Sequence, residues 1–242
     1  GSAALMRQAV TQAIHHATHR SAFQKKLLQQ PLMQNVLADL ALESEAATTL
    51  FLRLGRAIGD AETDPAEAAL ARIGTAIGKY WICKRTPGHI YEAMECHGGP
   101  GYIEESILPR LYREAPVNSI WEGSGNVICL DVLRALYKDP GALPAFFAEI
   151  ERARGGHKNL DLHITRLKAE IDERGNFEAR ARRITEMMAL AWQAALLVQY
   201  APSEVSDAFC VSRLGDYWSG AYGTLPDGVD FSAILTRAGA SL

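Results

Sequence analysis

No stretch of this chain approaches the roughly 20 consecutive apolar residues of a membrane-spanning helix, so no span is expected. The opening residues lack the charged-then-apolar pattern of a secretory signal, and Gly1-Ser2 reads as a tag scar of no structural weight. Nowhere do Val, Ile and Thr alternate with polar residues as they do in a half-buried strand, which argues against a sheet-based core. Internal repeats and low-complexity tracts are missing too. Cysteine is scarce: Cys83, Cys96, Cys129 and Cys210 include no Cys-x-x-Cys pair, and free, partly buried thiols in a cytoplasmic protein are expected. A dominant charge is also lacking. Against 28 acidic side chains stand 25 basic ones, a net charge of −3, which predicts no strong global pull toward nucleic acid or anionic membrane.

What is present is helical periodicity. With 242 residues, 48% hydrophobic and 22% charged, the chain has an ordinary soluble composition, long enough for one large domain or two small ones. A first helix is expected from Leu5 to Leu28, ending before Pro31. Pro31 opens a second, in which Leu32, Val36, Leu40, Ala47, Leu50, Leu54 and Ile58 share one face and end at Gly59-Asp60. Asp64-Pro65-Ala66-Glu67 supplies an N-cap, a first-turn proline and a capping-box glutamate for a third, which Pro87-Gly88 should kink or interrupt before it resumes to Cys96. A non-periodic loop covers Gly98 to Gly125, longer than compact domains usually carry without a functional reason. A short helix follows from Asn126 to Tyr137. Beyond Asp139-Pro140, further helices are expected near 140–154, 160–173, 176–201 and 206–218, then a glycine-rich tail. The reading is all-α: an antiparallel bundle over residues 1–138 and a helical extension over 139–242.

Two segments carry chemistry. Glu95-Cys96-His97-Gly98-Gly99-Pro100-Gly101-Tyr102 ends a helix in glycines, through which a ligand can approach bare backbone. Trp121-Glu122-Gly123-Ser124-Gly125-Asn126 sets a carboxylate between an aromatic and a turn, just ahead of a new helix. The two are expected to meet as one wall of a cleft. A carboxylate buried in such a cleft becomes a stronger base; the bland reading of Glu122 is an acid complementing a helix N-terminus. Ser124 and Asn126 also suit plain N-capping. His15, His16 and His19 sit on one helix without a carboxylate to complete a metal site, so no metal is expected, and His97 reads as a loop or core histidine.

Arg20-x-x-Phe23, Leu37-Ala38-Asp39-Leu40, Gly98-Gly99-x-Gly101-Tyr102, Arg113 and Trp121-Glu122-Gly123 resemble the C-terminal helical half of the acyl-CoA dehydrogenases. Residues 117–136, with Pro31-Leu32-Met33 and Ile82-Cys83-Lys84-Arg85, look closer to the AidB-like branch, which is associated with defence against DNA alkylation. The resemblance is dense from Arg20 to Leu136. It implies a four-helix bundle from a tetrameric, FAD-dependent flavoprotein whose other two domains are not in this chain, so that this piece alone binds FAD poorly and turns nothing over. It also implies Glu122 as base; Trp121 and Gly123 toward the acyl-CoA thioester; and Ser124, Asn126, Gly98 and Gly99 toward FAD. Arg20 and Phe23 would reach the FAD of a neighbouring subunit. The chain departs from the family at Gln24, where glycine is common, at Pro31, and at Glu95, where glutamine often stands.

A second reading is duplex DNA binding by the extension. From Arg152 to Arg183 nine basic residues, including Arg166, Lys168, Arg174, Arg180, Arg182 and Arg183, face five acids. Against it, Glu178–Arg182 and Arg182–Glu186 have the i,i+4 spacing of a solvated helix face. A purely structural tetramerisation bundle is a third.

Overall fold

Prolines and an aspartate set the starts of the two longest helices. In the computed structural model, which describes every residue except 174, 217, 219 and 242, the frame is α1 (Ser2–His19), α2 (Pro31–Asp60) and α3 (Pro65–Glu95). Short helices α4 (Gly99–Tyr102) and α5 (Leu108–Glu114) and a 3-10 turn at Pro116–Ser119 lead to α6 (Gly125–Lys138). The extension holds α7 (Ala142–Glu151), α8 (Lys158–Asp172), α9 (Ala181–Tyr200), α10 (Ser203–Arg213) and α11 (Phe231–Ala238). None of the described helices is long and apolar enough to cross a membrane.

Asp64 caps α3 as expected, accepting from the N–H of Ala66 at 2.8 Å and of Glu67 at 3.4 Å. Glu67 does not return the capping-box bond. Its carboxylate takes a two-pronged bond from Arg53 of α2 at 2.7 and 2.8 Å, and the same guanidinium reaches Glu149 of α7 at 2.6 Å. Pro87 leaves α3 uninterrupted. Losing one backbone bond costs a few kcal/mol, about 3, and α3 recovers more because it packs against α1, α2, α6, α7 and α9.

The first helix differs from its expected length, stopping at His19 rather than Leu28. The chain then reverses in a hairpin, β1 (Ser21–Ala22) on β2 (Lys25–Lys26), with Phe23 at φ +53° and Gln24 at φ +66°. That is the backbone of a tight primed turn, which glycine usually supplies. Lys26 sends its ammonium to the His19 carbonyl at 2.8 Å, satisfying a helix-end acceptor. Ser2, set aside as a scar, is buried and donates to Cys83 Sγ at 3.4 Å. The long 98–125 segment is not one loop but carries α4, α5 and the 3-10 turn, and the tail carries α11, capped by Asp230.

Helices α1, α2 and α3 pack on one another, α6 lies on α3, and α9 of the extension fills the groove between α2, α3 and α6. Gly74 and Gly78, one turn apart on α3, permit this. A Cβ on Gly74 would lie 2.5 Å from the ring of Trp192, and one on Gly78 would lie 2.4 Å from Leu54. One apolar core therefore runs through bundle and extension alike.

The same seam holds an ionic lock. Asp39 and Glu43 of α2 meet Arg213 at the end of α10, and Glu43 also accepts from Arg85 of α3 at 3.1 Å. Asp39, Glu43 and Arg213 are all buried. Asp39 further accepts the N–H of Gly223 at 2.8 Å, and the Arg85 guanidinium lies 4.8 Å from the Tyr222 ring centre. Burial alone would raise the Glu43 pKa, but Arg85 and Arg213 outweigh it and hold it below the ordinary value.

Candidate functional site

The 3-10 turn and α6 leave Trp121 to Ser124 between them as a protruding loop. Glu122 sits at φ +54° and Gly123 at φ +114°; for Glu122 this is the left-handed region that side chains disfavour. Lys79, half-buried on α3, holds the loop in that shape. Its ammonium donates to the Trp121 carbonyl at 2.6 Å and also to the Gly123 carbonyl, on either side of Glu122. Sequence reasoning missed Lys79, for nothing in its neighbourhood marks a residue that acts more than 40 positions away.

Glu122 itself is exposed, and its carboxylate and backbone N–H have no protein partner among the described residues. The expected burial is therefore absent from this chain. Beneath it runs a groove of about 390 Å³, walled by Ala3 and Ala4 of α1, Phe51, Leu54 and Ile58 of α2, and Gly78, Ile82 and Cys83 of α3. Trp121 closes one rim and is 59% exposed. Ser124 makes no capping bond, and its hydroxyl has no hydrogen bond among the described residues, while Asn126 Oδ1 accepts from Arg182 of α9 at 2.8 Å.

The glycine cluster lies elsewhere. Lys79 and Glu95 are separated by roughly 24 Å along α3 at 1.5 Å per residue, so the two segments do not form one wall as expected. Gly98, at φ +64°, and Gly99 are exposed, and a Cβ on either would touch nothing within 4 Å. Gly101 has a different role: a Cβ there would lie 2.3 Å from the Met94 carbonyl, so it is glycine for packing. Arg20, His97 and Pro100 border a separate cleft of about 590 Å³. Phe23, on the hairpin tip nearby, is 92% exposed.

Residues 1–137 match the family model described as the acyl-CoA dehydrogenase C-terminal domain. The chain belongs to the acyl-CoA dehydrogenase family. Over 210 residues it is 45% identical to the putative acyl-CoA dehydrogenase AidB of Escherichia coli strain K12, covering 87% of this chain and 38% of that protein. Acyl-CoA dehydrogenase family member 11 of Caenorhabditis elegans is 31% identical over 170 residues, 69% of this chain and 28% of the relative. Among solved structures, C. elegans ACDH-11 in complex with C11-CoA superposes with a TM-score of 0.81 at 27% identity, covering 92% of this chain and 43% of that one. The chain thus spans well under half the length of these relatives.

Within this acyl-CoA dehydrogenase domain, residues of three family motifs are taken up in ion pairs. Asp39 and Arg85 belong to the ionic lock, and Arg113 forms an exposed two-pronged pair with Glu104 at 2.7 and 3.0 Å. Burial pushes the thiols of Cys96 and Cys210 up to about 12, which leaves them inert at neutral pH.

Of the six cations named for DNA, the five that the structure describes are all engaged. Lys168 pairs with Glu151 at 2.7 Å and Arg166 with Asp216 at 3.6 Å. Arg180 binds the Glu170 carboxylate at 2.7 Å and three backbone carbonyls, and Arg183 binds Glu170 at 2.6 Å. Arg182 goes to Asn126 rather than to Glu178 or Glu186. Arg174 lies outside the described residues.

Proposed function

We propose that this chain is the C-terminal helical part of an FAD-dependent acyl-CoA dehydrogenase-like flavoprotein, with Glu122 as the base that removes the proton alpha to a thioester carbonyl. The observation that carries this reading is the posture of Glu122. A carboxylate and an adjacent N–H, both unpartnered, are held by Lys79 on a strained loop above an apolar groove. The carboxylate takes the proton, while the free N–H of Glu122 polarises the thioester oxygen as charge develops there. Trp121 and Gly123 border the acyl-CoA, consistent with the C11-CoA bound to the worm relative. Ser124 and Asn126 lie on the flavin side, where FAD, when bound, supplies the acceptor for the beta-carbon hydride.

The residues fit an extended dinucleotide in two places. Gly98 and Gly99 offer open peptide faces, and Arg20 offers a fork matched to a diphosphate. Their distance from Glu122 supports a division of labour in which Arg20, Phe23, Gly98 and Gly99 serve a neighbouring subunit's FAD in a homotetramer. An exposed phenyl ring at the hairpin tip suits that contact. The surfaces that would bury Glu122 and exclude water come from outside these residues.

A titration of FAD into the 242-residue chain should show only weak binding, and added amino-terminal domains of such a flavoprotein should make it tight. Stoichiometric FAD binding by the chain alone would overturn the reading. The second reading, duplex DNA contact through the extension, is weakened by the pairing of Arg166, Lys168, Arg180, Arg182 and Arg183. An anisotropy titration at two salt concentrations decides it, because phosphate contacts must weaken with salt.

A further inference from the structure

Arg182 sits in the first turn of α9, in the extension, yet its one side-chain bond serves α6 of the bundle. Its Nε–H donates to Asn126 Oδ1 at 2.8 Å, across 56 positions of sequence. Chemistry fixes the direction of that bond: a guanidinium has donors only, so the amide must meet it with its oxygen. What Asn126 has left to offer is its N–H₂, which has no partner among the described residues. Gly125 makes room for the arrangement. A Cβ there would lie 3.2 Å from an Arg182 guanidinium nitrogen, so a larger residue would push that group off the start of α6. The first turn of α6 holds no acidic residue, and Glu178 borders the neighbouring cleft without pairing to Arg182. A cation therefore stands at the positive end of a helix with only a neutral amide to answer it.

We infer that Arg182 is a positioning residue for the flavin site: by holding Asn126 Oδ1 it makes the amide N–H₂ the group that meets FAD, and so couples the extension to the cofactor's reduction potential. The inference rests on the proposed reading of Asn126 as a flavin contact. An unheld amide can turn by half a rotation and present its oxygen in place of its nitrogen, exchanging a donor for an acceptor. A donor polarised by a guanidinium favours the form of flavin that carries more negative charge, the reduced one. The charge itself is exposed and screened by water, so its influence travels through the amide it holds. A residue of the extension thus sets a property of the bundle's site, which explains why the two share one core rather than standing apart.

The test is the midpoint potential of FAD in the chain joined to the amino-terminal domains of such a flavoprotein, read by spectroelectrochemical titration. Arg182→Leu should weaken the preference for reduced over oxidised flavin about tenfold, a shift of about 30 mV in the negative direction. Arg182→Lys keeps a donor and the charge and should restore most of it. Asn126→Ala should also lower the potential, and adding Arg182→Leu to it should change little more, because the arginine acts through that amide. Arg182 is exposed beside an open cleft of about 510 Å³, so its loss leaves no buried void and thermal unfolding should move little. A potential unmoved by Arg182→Leu, with or without lost stability, overturns the inference and leaves the flavin reading intact; so do fully additive shifts in the double variant. A joined parent that holds no FAD overturns the flavin reading itself, and this inference with it.

Discussion

Glu43 lies in the seam between bundle and extension with a guanidinium on either side, whereas Glu122 stands on an exposed loop with no partner for its carboxylate among the described residues. Glu43 occupies a helix interior and ordinary backbone; Glu122 is held in the left-handed region by a lysine that grips the peptides flanking it. Buried charges that hold this fold are neutralised on the spot, because an unpaired one would cost several kcal/mol, about 3–5. The charge kept bare is found where local strain of about 1–3 kcal/mol is tolerated, and such outliers cluster at functional sites. The contrast separates a carboxylate that serves stability from one available for chemistry.

The largest way to break that contrast is Arg213→Ala, which leaves Asp39 without its cation and Glu43 with one. A loss of about 3–5 kcal/mol in urea unfolding is expected, against less than about 0.5 for Glu122→Gln at the surface. Equal losses would erase the distinction.

Acid probes the same seam. His89 is fully buried, its Nε2 bonded to the Leu40 carbonyl at 2.9 Å, and burial lowers its pKa from 6.5 to about 4. Between those values the unfolded chain binds a proton that the folded chain refuses. Stability should therefore fall as pH drops through this window, by about 3 kcal/mol from His89, and its contribution should level off below. Glu43, held low by its arginines, adds a loss of the same sign as it protonates in turn. Unfolding midpoints that stay flat across this range would contradict the burial.

Smaller effects belong to the loop. Lys79→Met should cost about 1–2 kcal/mol for two lost bonds and speed proteolysis at the Trp121–Ser124 loop while leaving the seam protected. Glu122→Gly should gain about 1 kcal/mol by relieving the left-handed strain; a loss there would show that the loop is not strained by its glutamate.

Much of this frame could be read from residues close in sequence. Pro31, Asp64-Pro65 and the middle of the α2 stripe (Leu40, Ala47, Leu50 and Leu54) fixed their helices locally, whereas Leu32 and Ile58 at the two ends of that stripe are exposed rather than in the core. The hairpin escaped because Phe23 and Gln24 adopt a glycine conformation without being glycine. The ionic lock escaped because Asp39 and Arg213 are 174 positions apart and no local pattern joins them. At the site, Glu122, Gly98 and Gly99 stand out in the sequence, and all three are exposed in the fold. Gly101 was not distinguishable from them until the Met94 carbonyl was seen against it, and Lys79 and Arg182 reach the loop only through tertiary packing.

The most direct measurement is flavin reduction in the chain joined to the rest of such a flavoprotein, loaded with FAD and mixed with acyl-CoA thioesters. The parent should lose its oxidised-flavin absorbance, and Glu122→Gln should bind FAD and thioester yet react about 100- to 10,000-fold more slowly. Reduction of the Glu122→Gln flavin at the parent's rate would contradict the assignment of the base.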